Sequence, residues 1–189
     1  MSETHKQSTN GADEVFCEFG RFVVLFERVV QSMGFSISFI LSSEGLRNQQ
    51  LGHIVLAEQT AAPIRSILQA MVREIAKPDQ DETTILSKIF KRIQELTEQR
   101  NLLVHGFSAI GQRDGEAAFT SDGYKLKRKA AGVGIQQFRL TAAELRNLCL
   151  ECNEVEALVD RVTATILQKK KFTATFTLAG GVVSLARQF

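Results

Sequence analysis

Apolar side chains recur along this chain at two spacings, and the change from one to the other divides it. From about Asp13, the residues Val15, Phe16, Phe19, Val23, Phe26, Val29, Val30 and Met33 fall at the i, i+3, i+4, i+7 intervals of an amphipathic helix. The pattern continues less regularly through Phe39 and Leu41, with Gly34 as a candidate break. A second helical region covers about Leu46 to Lys77 and carries Leu51, Ile54, Val55, Ile64, Ile67, Leu68, Met71 and Ile75. Pro63 removes a backbone donor inside it, which predicts a kink or two helices, with Thr60 placed to cap the second. A third helix is expected from near Asp81, a candidate cap, on the stripe Leu86, Ile89, Phe90, Ile93 and Leu96. The last long helix opens on Thr141-Ala142-Ala143-Glu144, where Thr and Glu side chains can each satisfy the other's free backbone donor. Leu145, Leu148, Cys152, Val155, Val159, Val162 and Ile166 continue it.

Between the last two helices the spacing changes. Residues 106–140 hold six of the thirteen glycines, and Glu116–Thr120, Tyr124–Lys129 and Gly134–Leu140 read as strands, with Asp114-Gly115 and Asp122-Gly123 as turn pairs. In the tail, Phe172 to Leu178 alternates like a strand, Gly180-Gly181 offers a turn, and Val182–Phe189 offers a return. The expected fold is therefore all-α: a helical bundle of four to five helices with a β-hairpin insertion between the last two long helices. Residues 1–13 read as a disordered polar tail and 14–171 as a single domain with its insertion at about 106–140. Residues 172–189 read as a C-terminal extension, for which a short hairpin is one reading.

Composition narrows the function more than the fold. A formal net charge of +2 gives no general basic field, so any nucleic-acid contact must come from a local patch. Three cysteines, Cys17, Cys149 and Cys152, make no even framework of bridges. The uncharged run Val29 to Ser43 is 15 residues and contains Gln and Ser, too short and polar to span a bilayer. These features predict a cytoplasmic protein with reduced thiols and no membrane partner.

The third helix contains an anomaly. Its apolar stripe runs into Arg100, with Asn101 and His105 beside it, four residues apart and about 40° around the helix. Burying a guanidinium without a partner costs several kcal/mol or more. The group is therefore paired, interfacial or functional. In the paired reading Arg100 meets a carboxylate on another helix, such as Glu27 or Glu58, Asn101 and His105 satisfy backbone groups, and Gly106 supplies a left-handed cap.

Arg100-Asn101-x-x-x-His105 resembles the Arg, polar, x, x, x, His signature of the HEPN superfamily, and Gln99 to Gly106 is spelled like the segment of many small bacterial members. The helix order from roughly Glu14 to Gln168 resembles that family's layout. The resemblance implies metal-independent RNA cleavage at a homodimer interface, in a toxin or defence component, with no cofactor and with an antitoxin or other protein as a further partner. Arg100 and His105 would be catalytic and Asn101 supporting. The chemistry agrees: an imidazole can move the 2′-hydroxyl proton, and a guanidinium can hold the developing phosphorane charge. Arg100 and His105 lie about 140° apart on one helix, so the expectation is that they converge through a two-fold dimer. Several toxin members carry Tyr after the His, whereas this chain has Gly106, as a less active or inactive branch would. The alternative is a non-catalytic HEPN-like homodimer that binds RNA, a nucleotide or a protein. A third reading has the motif lock the dimer alone.

Lys125, Lys127, Arg128 and Lys129, with Arg113 nearby, form the dense basic cluster before Lys169-Lys170-Lys171. Such a run discourages strand pairing; beside His105 it would hold an RNA backbone, with Tyr124 exposed for base stacking. Cys149-Leu150-Glu151-Cys152 lies on the helical stripe without further zinc ligands and reads as core packing, and His53 has no partner at metal spacing. No metal site is expected.

Overall fold

The computed structural model describes residues 3–112, 118–129 and 132–186, except the side chains of residues 3–10, 107, 127–129 and 132. Along the chain run α1 (Glu3–Ser43), α2 (Gln49–Leu56), α3 (Ala61–Ala76), α4 (Gln80–His105), β1 (Phe107–Gly111), β2 (Thr120–Lys129), β3 (Gly132–Thr141), α5 (Ala142–Leu167), α6 (Phe172–Thr175), β4 (Phe176–Ala179) and β5 (Val182–Leu185). Two antiparallel sheets are present, one of three strands in the order β1-β2-β3 and one of two, β4-β5.

The fold is thus mixed α/β with six helices among the described residues, not an all-α bundle of four to five helices with one hairpin. Three local causes account for the difference. The chain enters a strand straight after the motif helix, so Phe107–Gly111, which the sequence pattern did not single out, becomes β1, while most of the expected strand Glu116–Thr120 lies outside the described residues. The interruption before Pro63 gives two helices, one of the two expected outcomes, with Pro63 in the first turn of α3 where its missing N–H costs little. The added helix is α6, since Phe172–Thr175, expected as strand, is helical and only Phe176–Ala179 forms β4. The tail makes its own sheet, in which Gly180 and Gly181 both have positive φ, 57° and 80°, as a two-residue hairpin turn requires.

α1 is longer than its sequence pattern suggests. It begins at Glu3 and passes unbroken through Gly34. Phe22, Phe26, Val29, Met33, Ile37 and Ile40 form one buried stripe at helical spacing, which outweighs a single glycine's helix cost of about 1 kcal/mol. Its stretch Gly11–Ser43 is 33 residues, long and apolar enough to cross a membrane by length and composition; 44% of its most apolar window is buried inside the protein.

The chain divides into two compact units, Met1–Phe26 with Glu98–Cys152, and Glu27–Thr97 with Asn153–Phe189. In the first, Val15, Phe22, Phe26, Leu102, Leu103, Leu145 and the two thiols Cys149 and Cys152 are buried. Arg146 of α5 bridges Glu14 at 2.8 Å and Glu18 at 3.0 Å on α1. In the second unit α4 is capped not by Asp81 but by Asp79, whose Oδ1 accepts from the Glu82 N–H at 3.0 Å while Glu82 accepts from the Asp79 N–H at 3.2 Å. The buried Glu82 also accepts from the Phe172 N–H at 2.7 Å and tethers α6 to the start of α4. Thr60 precedes α3 without a side-chain capping bond.

α5 opens on the capping box written in its sequence. Glu144 accepts from the Thr141 N–H and hydroxyl, each at 2.8 Å, and Thr141 Oγ1 accepts from the Glu144 N–H at 3.2 Å. These bonds, the Thr141 N–H first, hold the Glu144 carboxyl below its ordinary range. Thr141→Ala should cost about 0.5–2 kcal/mol by urea denaturation. Because the folded state favours the ionised Glu144, its contribution is complete above the usual carboxylate range and is lost as the pH falls through the lowered value. The stability gap between wild type and Glu144→Gln should therefore be constant near neutrality and close on acidification below that range.

Candidate functional site

The last turn of α4 is anchored by Leu102 and Leu103, both buried, which leaves the intervening faces for polar groups. Arg100 and Asn101 are half-buried and His105 is exposed. The Arg100 guanidinium lies over the Phe26 ring, 5.9 Å from its centroid, so its apolar face is covered by an aromatic that attracts cations. Its Nη1 is 3.3 Å from Asn101 Oδ1 and 3.0 Å from His105 Nε2.

Arg100 and His105 therefore meet within one chain, where the angular separation along the helix led to an expectation of convergence only through a dimer. Five residues span about 7.5 Å of helix axis. The long Arg side chain bridges that distance, and His105 is the final helical residue, with solvent beyond it. Arginine has no acceptor, so Nη1 donates and His105 Nε2 accepts, which places the neutral ring's proton on Nδ1.

Gly106 determines how the chain leaves the helix. Its N–H donates to the Leu102 carbonyl at 3.0 Å. A Cβ here would collide with that same carbonyl oxygen, and would lie 3.0 Å from a ring carbon of Phe138 and 3.2 Å from the Tyr124 carbonyl. Among the described residues the positive-φ glycines are Gly45, Gly180 and Gly181, so Gly106 supplies room and not the left-handed cap expected from sequence. A tyrosine at 106 has no place in this packing.

From Gly106 the chain becomes β1, pairing Phe107 with Tyr124 and Gly111 with Thr120. That register brings the next residue of β2, Lys125, onto the helix end, where its Nζ donates to the Asn101 carbonyl at 3.0 Å. A cation there also complements the negative end of the α4 dipole. Lys125 thus contacts the backbone of Asn101, at the helix end that carries Arg100 and His105. Lys127, Arg128 and Lys129 follow in the backbone of β2, but their side chains, and Arg113, lie outside the described residues. Tyr124 is exposed. Asp122-Gly123, expected as a turn, lies inside β2, and Asp114-Gly115 is outside the described residues.

No family model, curated protein or solved structure matches the chain. The chemistry of the site must be read from its own geometry.

Other candidates resolve simply. Cys149 and Cys152 are buried and form no disulfide, and burial first, with the nearby Glu18 charge second, pushes the Cys149 thiol up, away from a reactive thiolate. His53 is exposed on α2, and the described residues contain no group of three or more His, Cys, Asp or Glu placed to hold a metal. Lys171 of the basic tail pairs with Asp79 at 3.3 Å and Glu82 at 3.7 Å, a structural role. Sequence reasoning missed Phe26 as the platform under Arg100, since a core phenylalanine carries no mark of its polar neighbour.

If Gly106 is required for space, Gly106→Ala should destabilise the protein by about 1–3 kcal/mol through overpacking. Gly111→Ala, where an added Cβ meets nothing within 4 Å, should stay within about 0.5 kcal/mol of wild type. Equal Tm values for the two variants would contradict the packing account.

Proposed function

We propose that this protein is a metal-independent endoribonuclease of the HEPN type, with His105 as the proton-transfer group, Arg100 as the phosphate ligand and Asn101 as their support. The observation that carries the reading is the 3.0 Å contact between Arg100 Nη1 and His105 Nε2. A guanidinium and an imidazole, the two groups that RNA cleavage through the 2′-hydroxyl needs, stand at hydrogen-bond distance at an exposed helix end. When a phosphate oxygen takes up the Arg100 donor, Nε2 is released as an acceptor. The 2′-hydroxyl proton moves to Nε2, the 2′-oxygen bonds to phosphorus, and the bond to the 5′-oxygen breaks. The leaving oxygen takes a proton from an imidazolium, leaving a 2′,3′-cyclic phosphate and a 5′-hydroxyl. Lys125 extends the cationic surface along the RNA backbone, and Lys127, Arg128 and Lys129 continue it in sequence. The active species is a homodimer that sets two such ends side by side, and an antitoxin-like protein is the partner that would restrain it.

One observation favours a second reading. Arg100 is also engaged by Asn101 Oδ1 and by the Phe26 ring, so the motif partly satisfies itself. In that reading the chain is a non-catalytic HEPN-like homodimer that binds RNA, a nucleotide or a protein at this end.

Two measurements on the same variants separate them. With labelled RNA in EDTA, His105→Ala should lose about 10²–10⁴ in cleavage rate while its Tm stays within a few degrees of wild type, because His105 is exposed. Arg100→Lys should lose rate as well, since it removes the bidentate fork. A wild-type protein that binds RNA without cutting any sequence tried, with His105→Ala binding equally well, would leave the binding module in its place.

A further inference from the structure

In the second unit, the C-terminal halves of α1 and α5 border a groove of about 440 Å³, within the range of small-molecule sites. Its wall on α1 carries Phe35 and Phe39, one helical turn apart, 55% and 56% exposed. Leu167 and Ala164 of α5 add apolar lining. Adjacent and this exposed, the two rings form an apolar patch on which a ligand can bury surface.

The polar groups of the groove are unequal. On its floor the Thr163 and Ser36 hydroxyls bond to each other at 2.6 Å, and Ser36 donates to the Ser32 carbonyl at 2.8 Å, so they are satisfied internally. Arg28 and Glu156 neutralise each other at 2.8 Å. Asp160 is different. It accepts a short 2.6 Å hydrogen bond from Ser32, which fixes the carboxylate, and has no cationic partner among the described residues. The groove therefore joins one fixed, unneutralised carboxylate to two exposed phenyl rings, whose faces attract cations.

We propose that this groove binds a small organic ammonium ion whose cationic head carries methyl or methylene groups. The alkyl groups cover the rings and Leu167, and the positive charge faces Asp160. An alkylated ammonium loses less hydration on entering such a site than a bare metal ion or a primary ammonium does. An anion would meet Asp160, and a neutral apolar ligand would leave that carboxylate uncompensated. The inference is independent of the Arg100 site, which lies in the other unit.

The test uses choline and its uncharged isostere 3,3-dimethyl-1-butanol as probes, titrated into the full-length protein and followed by amide NMR. Choline should give saturable shifts at Phe35, Phe39 and Asp160, and the isostere should bind at least about tenfold more weakly. Asp160→Asn keeps an acceptor for Ser32 but removes the charge, and should weaken choline by a similar factor with Tm unchanged. Phe35→Leu and Phe39→Leu, on exposed positions, should each weaken it severalfold. Equal affinity for the isostere overturns the proposal, as does the absence of saturable shifts up to about 100 mM choline. It is also overturned if Phe35→Ser with Phe39→Ser turns a dimer into a monomer by light scattering, since the face then belongs to a second copy.

Discussion

The candidate site depends on the way the chain leaves α4 at Gly106. A Cβ there would collide with the Leu102 carbonyl and crowd the Phe138 ring and the Tyr124 carbonyl, so glycine at this position lets the helix turn into β1 within one residue. That turn makes His105 the last helical residue and leaves its ring in solvent, within reach of Arg100. It also sets the β1–β2 register that carries Lys125 back to the Asn101 carbonyl. Three chemical groups from two elements are thus held by one backbone junction.

Much of the helical scaffold was legible because burial imposes a period that the sequence cannot hide. Val15, Phe26, Val29 and Met33 of the α1 stripe, the break before α3 and the Thr141–Glu144 box were legible in spacing and cap chemistry. Phe22, Ile37 and Ile40 of the same stripe were not, and Phe16 and Phe39, counted into it, are exposed. The strands were harder. Phe107–Gly111 is five residues with no clear alternation, and it becomes a strand because β2 offers it a partner, a tertiary cause that a local pattern does not contain. The three-stranded and two-stranded sheets make the fold mixed α/β and not all-α, and the short α6 raises the helices among the described residues to six. Asp79 outcompeted Asp81 as a cap because Glu82, three residues on, can return the bond; Asp81 has no such partner.

The polar motif was visible as an anomaly, but its geometry was not. Angles around an ideal helix describe Cβ directions and say nothing of a flexible seven-atom side chain reaching along the axis. The Arg100–His105 contact comes from that reach, and the cation–π platform comes from Phe26, some seventy residues earlier in the chain. Lys125 was picked out for its charge and its sequence neighbours, whereas its position follows from strand register.

Within a single chain, Arg100 donates to Nε2 of His105. A neutral imidazole whose Nε2 accepts must carry its proton on Nδ1. Long-range ¹H–¹⁵N correlation spectra of the His105 ring, recorded at a pH where the ring is neutral, distinguish the two tautomers. The account predicts the Nδ1–H form in wild type, shifting toward the usual mixture in Arg100→Lys. A predominantly Nε2–H ring in wild type would contradict it.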